Sequence, residues 1–294
     1  MDTTTTTTNE RRQLHGMWAS VAPAWGEHAE YVEIRGATMT ARLLEVAAPR
    51  AGERVLELAC GVGGLGLAAA GLVGPAGEVV LSDVAAEMTA IAAARAANLG
   101  LGNVRTLTLD LDDLDQPDQA YDVVLCREGL MFAFDPAQAA AGIRRVLRPG
   151  GRVAVAVWGP RARNPWLAVV FDAVGAVLGA PVPPPGIPGP FALDDPVRLG
   201  RLLTGAGLAD VTVEEVPTPL HDASFDAWLT RTTALAGPLA KRLALLPDPA
   251  RRELRARLEE AVRPYRSPDG LDFPGVSLVA SGRAPVAQGG DSSR

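Results

Sequence analysis

The residues of this 294-residue chain best suited to chemistry are one carboxylate and a cluster of glycines. In "VLELACGVGGLG" Glu57 stands four positions before Gly61, and Gly61, Gly63, Gly64 and Gly66 fall within six positions. Glycine is needed where φ turns positive or where a ligand approaches the backbone. Gly61, Gly63 and Gly66 satisfy G-x-G-x-x-G, which predicts a strand-to-helix turn passing close under a nucleotide. Asp83 follows Gly63 by twenty positions and ends a second apolar run, where a carboxylate accepts both ribose hydroxyls of an adenosine cofactor. Asp110 ends "TLTLD" and can accept from an adenine amino group, with the Leu111 amide beside it for a ring nitrogen. Asp112, Asp113 and Asp115 read as a solvated acidic turn.

Two cofactors present such a ribose. A nicotinamide dinucleotide brings a pyrophosphate, which the helix dipole favours. S-adenosylmethionine brings an ammonium, a carboxylate and a sulfonium. Buried acids on strands need partners, and Glu57 suits a nearby cation or ordered water better than a pyrophosphate. The residues therefore favour S-adenosylmethionine.

Candidates for proton transfer are Glu128, His28 and His221. Glu128 lies in "CREGLMFAFDP", just after a strand, at the sheet end where open α/β folds place their sites. Its competing role is an ion pair with Arg127 or Arg144. His28 sits in "WASVAPAWGEHAEY" and His221 leads into a long irregular stretch, whereas His15 is expected at the surface. Met131, Phe132 and Phe134 lie in a loop, where at least one is expected to line a substrate pocket. Trp18 and Trp25 are expected to pack the N-terminal helices and to roof the site. No converging set of carboxylates implies a metal.

Alternating strands and helices must position these groups. "ERVLELAC", "GEVVLSDV", "NVRTLTLD", "YDVVLC" and "RVAVAVW" read as mostly apolar strands, separated by helices such as "AAEMTAIAAARAANLGL". Another helix, "DPAQAAAGIRRVLRPGG", carries an N-cap at Asp135 and Pro136 in its first position. Such alternation predicts an α/β fold with a parallel sheet covered on both faces. Two helices precede it. After Trp158 the rhythm breaks at "PVPPPGIPGP", with six prolines in ten residues. A helix from Asp195 and the strand "DVTVEEV" resume the pattern, a helical stretch spans about 224–263, and "GVSLVASGR" ends it.

This organisation predicts one domain over 13–284, with a helical cap at 13–48 and lid or substrate insertions at 160–190 and 220–268. Residues 1–12 and 285–294 read as disordered tails. The formal net charge of −6 argues against nucleic acid, which needs a basic surface. Cys60 and Cys126 are the only cysteines, without disulfide or metal spacing. No signal peptide is visible, and Asp172 interrupts the longest apolar run, so a cytoplasmic protein with no membrane contact is expected. A homodimer is left open.

"VLELACGVGG", "LSDVAAEM", "TLDLDDL", "YDVVLC" and "RRVLRPGGRVAVAVW", in this order, resemble the class I S-adenosylmethionine-dependent methyltransferases. The similarity is to the small-molecule group that includes quinone C-methyltransferases and natural-product O-methyltransferases. It covers about Trp18 to Trp158. The resemblance implies a Rossmann-like fold with a seven-stranded, mostly parallel sheet and an antiparallel last strand. It implies that Glu57, Ala59, Gly61 and Gly63 line the methionine and ribose end of the cofactor and that Asp83 holds the ribose. Met88 would flank the adenine, Asp110 and Leu111 would read its edge, and Cys126 with Arg127 would close over the methionine end. The expected acceptor is a hydrophobic small molecule of secondary or quinone metabolism, such as a polyketide of antibiotic biosynthesis, methylated on oxygen or on carbon. Two rivals are a methyltransferase-fold enzyme that uses the cofactor without transferring methyl, and an NAD(P)-dependent oxidoreductase. The second lacks a Tyr-x-x-x-Lys pair, since Gly237 precedes the only lysine, Lys241, by four.

Overall fold

Alternation of apolar side chains along the strands dictates a sheet with two buried faces. Val55, Val79, Leu81, Val123 and Leu125 enter one core, while Leu56, Val80, Val124, Val153 and Val155 enter the other. A period of two sends neighbouring residues to opposite faces, so both faces must be covered by helices. The structure is a computed structural model and describes residues 3–185, 187–236, 239, 242–243 and 245–286.

The strands are β1 (Arg54–Glu57), β2 (Glu78–Asp83), β3 (Val104–Thr108), β4 (Tyr121–Arg127), β5 (Leu147–Trp158), β6 (Ala209–Pro217), β7 (Leu220–Asp222), β8 (Arg266–Ser267), β9 (Gly270–Phe273) and β10 (Val276–Arg283). Seven form one sheet in the order β3-β2-β1-β4-β5-β10-β6. The pairs among β1 to β5 are parallel, and β10 runs antiparallel to both β5 and β6. This is the Rossmann-like architecture with the reversed last strand that the sequence predicts. The order reverses at β1, which opens a crevice at the carboxyl ends of β1 and β4.

The helices are α1 (Thr3–Glu27), α2 (Ala29–Ala47), α3 (Gly64–Val73), α4 (Ala86–Asn98), α5 (Pro136–Val146), α6 (Pro165–Leu178), α7 (Pro196–Gly205), α8 (Phe225–Leu235) and α9 (Asp248–Ala261). Helix α5 starts where the sequence places it. The Asp135 carboxylate accepts from the Ala137 and Gln138 amides, Pro136 occupies the first turn, and Ala139, Ala140, Ile143 and Val146 are buried. Asp195 caps α7 in the same way.

Two expectations change, and a second sheet is added. Helix α1 begins at Thr3, so residues 3–12 continue a helix where a disordered tail was predicted; residues 1–2 and 287–294 of the two expected tails lie outside the described residues. Helix α2 does more than cap: Met39, Leu43 and Ala47 are fully buried against the sheet, sharing a core with α3 and α4. The helical stretch read over about 224–263 holds α8 and α9, and the strands that flank it, β7, β9 and β8, form a second, three-stranded sheet that the sequence did not suggest. Strands this short carry no readable period. Both insertions pack together, since Trp228 of α8 is fully buried and its indole N–H donates to the Trp166 carbonyl of α6 at 3.1 Å. No helix among the described residues is long and apolar enough to cross a membrane.

Candidate active site

The glycine turn between β1 and α3 is built around buried carboxylates. Gly61 has φ +51°, and its amide donates to a carboxylate oxygen of Asp83 at 2.9 Å, while the Ala85 amide donates to the other at 3.0 Å. These bonds fix Asp83 at the end of β2 and leave acceptor capacity, since a carboxylate takes about four hydrogen bonds. Burial raises the Asp83 pKa above its ordinary value, with the Ala85 and Gly61 amides working against it. Glu57 ends β1, 1% exposed, and accepts from the Gly66 amide at 2.8 Å. A Cβ at Gly66 would collide with Leu81 and lie 2.5 Å from a Glu57 oxygen, so only glycine lets that carboxylate reach the helix amide.

Burial pushes the Glu57 carboxyl up from its ordinary 4.5 to about 8, and the Arg127 charge only partly offsets this. A raised acid pKa means the folded chain holds the proton more tightly than the unfolded one. The resulting stability is fully present below about pH 4.5 and is lost as pH rises through about 8. Glu57→Gln is therefore expected to flatten the decline of thermal stability across this window. The gain over wild type at its alkaline end would be on the order of 4 kcal/mol. Thermal unfolding of the ligand-free protein checks this, and parallel pH curves for the two proteins would refute it.

A cavity of about 540 Å³ opens over these strand ends. Glu57, Ala59, Gly61, Asp83, Met88, Asp110, Leu111 and Arg127 line it, as does Glu128. Gly63 and Cys126 stand behind the wall. A Cβ at Gly63 would meet Ala92 and Leu81, so that glycine serves helix packing. Cys126 is fully buried, its thiol pushed up to about 12 by burial. The two histidine candidates are not brought in. His28 joins α1 to α2 away from the lining, and His221 lies half-exposed on β7, paired with Asp272 at 2.7 Å.

Helix α1 is the roof. Trp25 lies 3.4 Å from where a Gly61 Cβ would stand, and Trp18 meets Phe132 edge-on at 5.0 Å. Arg11 of the same helix bonds Asp110 at 2.6 Å, with the His15 ring at 3.4 Å, so Asp110 already has partners. His15, expected at the surface, lines the cavity. Asp112 is 4% exposed and accepts from the Phe134 and Asp135 amides, which makes it a loop anchor and not part of a solvated turn. Met131, Phe132 and Phe134 do line the pocket, together with residues 182–185 and 187–190 of the proline segment.

Glu128 has φ +58° and Ala59 has φ +50°, both in the left-handed region that disfavours side chains. Strain of this kind collects at functional sites. The partner of Glu128 is neither Arg127 nor Arg144. It is Arg35 of α2, at 3.3 Å. Arg127 instead donates to Thr40 Oγ1 at 2.6 Å and faces Glu33 at 3.7 Å. The Arg35 guanidinium lies 5.0 Å from the Trp158 ring and 5.1 Å from that of Trp166, and these two rings meet edge-on at 5.0 Å. Its Nε is buried without a hydrogen-bond partner, a state that costs roughly 1–3 kcal/mol. The sequence held one signal for this residue. Arg35 stands three after Val32 and four before Met39, on the buried stripe of α2.

Asp83 and Glu57 at adjacent strand ends, with glycine backbone between them and Met88 alongside, form a donor set that fits an adenosyl sulfonium with an amino-acid tail. Among the described residues no group of side chains could hold a metal ion.

Residues 49–164 match a family model described as a methyltransferase domain. The chain is 38% identical over 130 residues to the ubiquinone/menaquinone biosynthesis C-methyltransferase UbiE of Ectopseudomonas mendocina (strain ymp), covering 44% of this chain and 50% of that protein. It thus spans about half the length of the curated relatives it matches. The crystal structure of the YcgJ protein from Bacillus subtilis superimposes with a TM-score of 0.58 at 19% identity, over 85% of this chain and 98% of that one. Phosphoethanolamine N-methyltransferase 2 of Haemonchus contortus, in complex with phosphomonomethylethanolamine and S-adenosylhomocysteine, superimposes with a TM-score of 0.52 at 18% identity, over 84% and 52%. At these identities the two structures speak for the fold alone.

Proposed function

We propose that this chain, whose residues 49–164 match a methyltransferase-domain model, is a class I, S-adenosylmethionine-dependent enzyme that methylates a small apolar acceptor, at an oxygen or at a carbon which that oxygen activates. The observation that carries the reading is one cavity that joins the Glu57, Gly61 and Asp83 cradle to Glu128 and an aromatic compartment. Asp83 would take the ribose hydroxyls and Glu57 the ammonium. Met88 and the Leu111 amide would meet the adenine, with Asp110 shared with Arg11. Bound there, S-adenosylmethionine supplies a methyl group on a cationic sulfonium that is its own leaving group.

The chain's part is to position the acceptor, which is worth roughly 7–11 kcal/mol in well-oriented systems. Trp18, Phe132 and Phe171 with the proline segment offer an apolar wall that excludes water. Glu128 is the group suited to remove an acceptor proton. The similarity to quinone C-methyltransferases favours a flat ring as the acceptor.

The test is an incubation with S-adenosylmethionine labelled in its methyl group and a panel of quinols and phenols. Label is expected in the product, and its carbon shift in NMR separates O-methyl from C-methyl. Conversion of an acceptor with all label left on the cofactor would replace this reading by a non-methylating one.

A further inference from the structure

Arg35 is the cavity's half-used cation. Trp158 and Trp166 pack beside its guanidinium on one side, since the two rings are themselves only 5.0 Å apart, and the group lines the cavity. Its Nη2 reaches Glu128 at 3.3 Å, a long contact, and its Nε is buried and unpartnered. A guanidinium fork is built to meet two oxygens side by side, and here only one contact is made. The other cation in this part of the wall, Arg127, is engaged by Thr40 and Glu33.

We infer that Arg35 is the anion-holding group of the acceptor compartment, and that the natural acceptor carries an acidic oxygen, a carboxylate or an ionised ring hydroxyl, on a flat apolar scaffold. The inference rests on the methyltransferase reading above and names the substrate class for it. The oxygen meets the guanidinium on its cavity side, beside Glu128, while the two indoles and Phe171 take the scaffold. For a ring hydroxyl, the O–H bond breaks, the proton passes to Glu128, and the electron pair stays on the oxygen beside Arg35. The positive charge then faces the new oxyanion in place of the neutralised Glu128, and the net charge of the three groups is unchanged. An aliphatic alcohol, far less acidic, gains little from such a partner.

The test uses the full chain saturated with S-adenosylhomocysteine and two pairs of probes, 1-naphthoate against 1-naphthamide and 4-nitrophenolate against 4-nitroanisole. Binding is read from quenching of tryptophan fluorescence. Wild type is expected to prefer each anion over its neutral mimic by about 10-fold or more. Arg35→Met should reduce that ratio to near one while leaving naphthamide affinity in place, and Arg35→Lys should keep part of it. A preference for naphthoate alone identifies the acidic oxygen as a carboxylate, and for nitrophenolate alone as a hydroxyl. If Arg35→Met loses naphthamide binding too, Glu128→Gln supplies the measurement, because removing the competing anion should raise the wild-type preference. Equal binding of anion and mimic by wild type, or a preference that survives Arg35→Met, would overturn the inference. Saturation by S-adenosylhomocysteine, measured on the same samples, keeps such a failure distinct from failure of the methyltransferase reading.

Discussion

Glu128→Gln is expected to lower kcat by roughly 10²–10⁴-fold, the span typical of a lost general base, while leaving the affinity for S-adenosylmethionine unchanged. The substitution keeps the size of the side chain, its left-handed backbone at φ +58° and an oxygen able to accept from Arg35. What it removes is the capacity to take a proton. Single-turnover rates with an accepted substrate, set beside a cofactor titration, separate the proton step from binding. A variant with the wild-type rate and pH profile would assign Glu128 to holding Arg35 and nothing more.

Asp83→Ala is expected to weaken S-adenosylmethionine binding by at least about 100-fold. Two charge-assisted hydrogen bonds to the ribose would be lost, each worth roughly 1.5–3 kcal/mol. The substitution also strips the Gly61 and Ala85 amides of their acceptor, so the loop loses its anchor. Asp83→Asn keeps the volume and one carbonyl acceptor, and should fall between wild type and alanine. Isothermal titration of all three gives the ranking, with circular dichroism confirming that each is folded. Affinity within a few-fold of wild type in a folded alanine variant would place the ribose elsewhere. Burial holds the Asp83 pKa above its ordinary value. Cofactor affinity should accordingly decline on acidification sooner than for an exposed aspartate.

The sequence by itself determined the strands, the glycine turn and most of the residues that line the cavity above it. Each of these is encoded over a short span. Alternating apolar residues set the strands, glycine at positions 61 and 66 permits the turn, and Asp83 follows directly from the end of β2. The α5 cap at Asp135 is equally local and stands where it was read. Physics acting within a few residues needs no knowledge of the rest of the chain.

Only the tertiary structure decided the acceptor compartment. Arg35 and Glu128 are 93 positions apart, and Arg11 meets Asp110 across 99. Their pairing depends on where α1 and α2 lie against the sheet, which the packing of Trp25 over Gly61 and of Met39 into the core sets together. His15 and His28 exchanged their expected places for the same reason. A helix residue's side depends on which face its neighbours bury, and the mixed polarity of α1 left that face unmarked. The three-stranded sheet of β7, β9 and β8 was invisible because its strands are stabilised by partners distant in sequence and not by a pattern of their own.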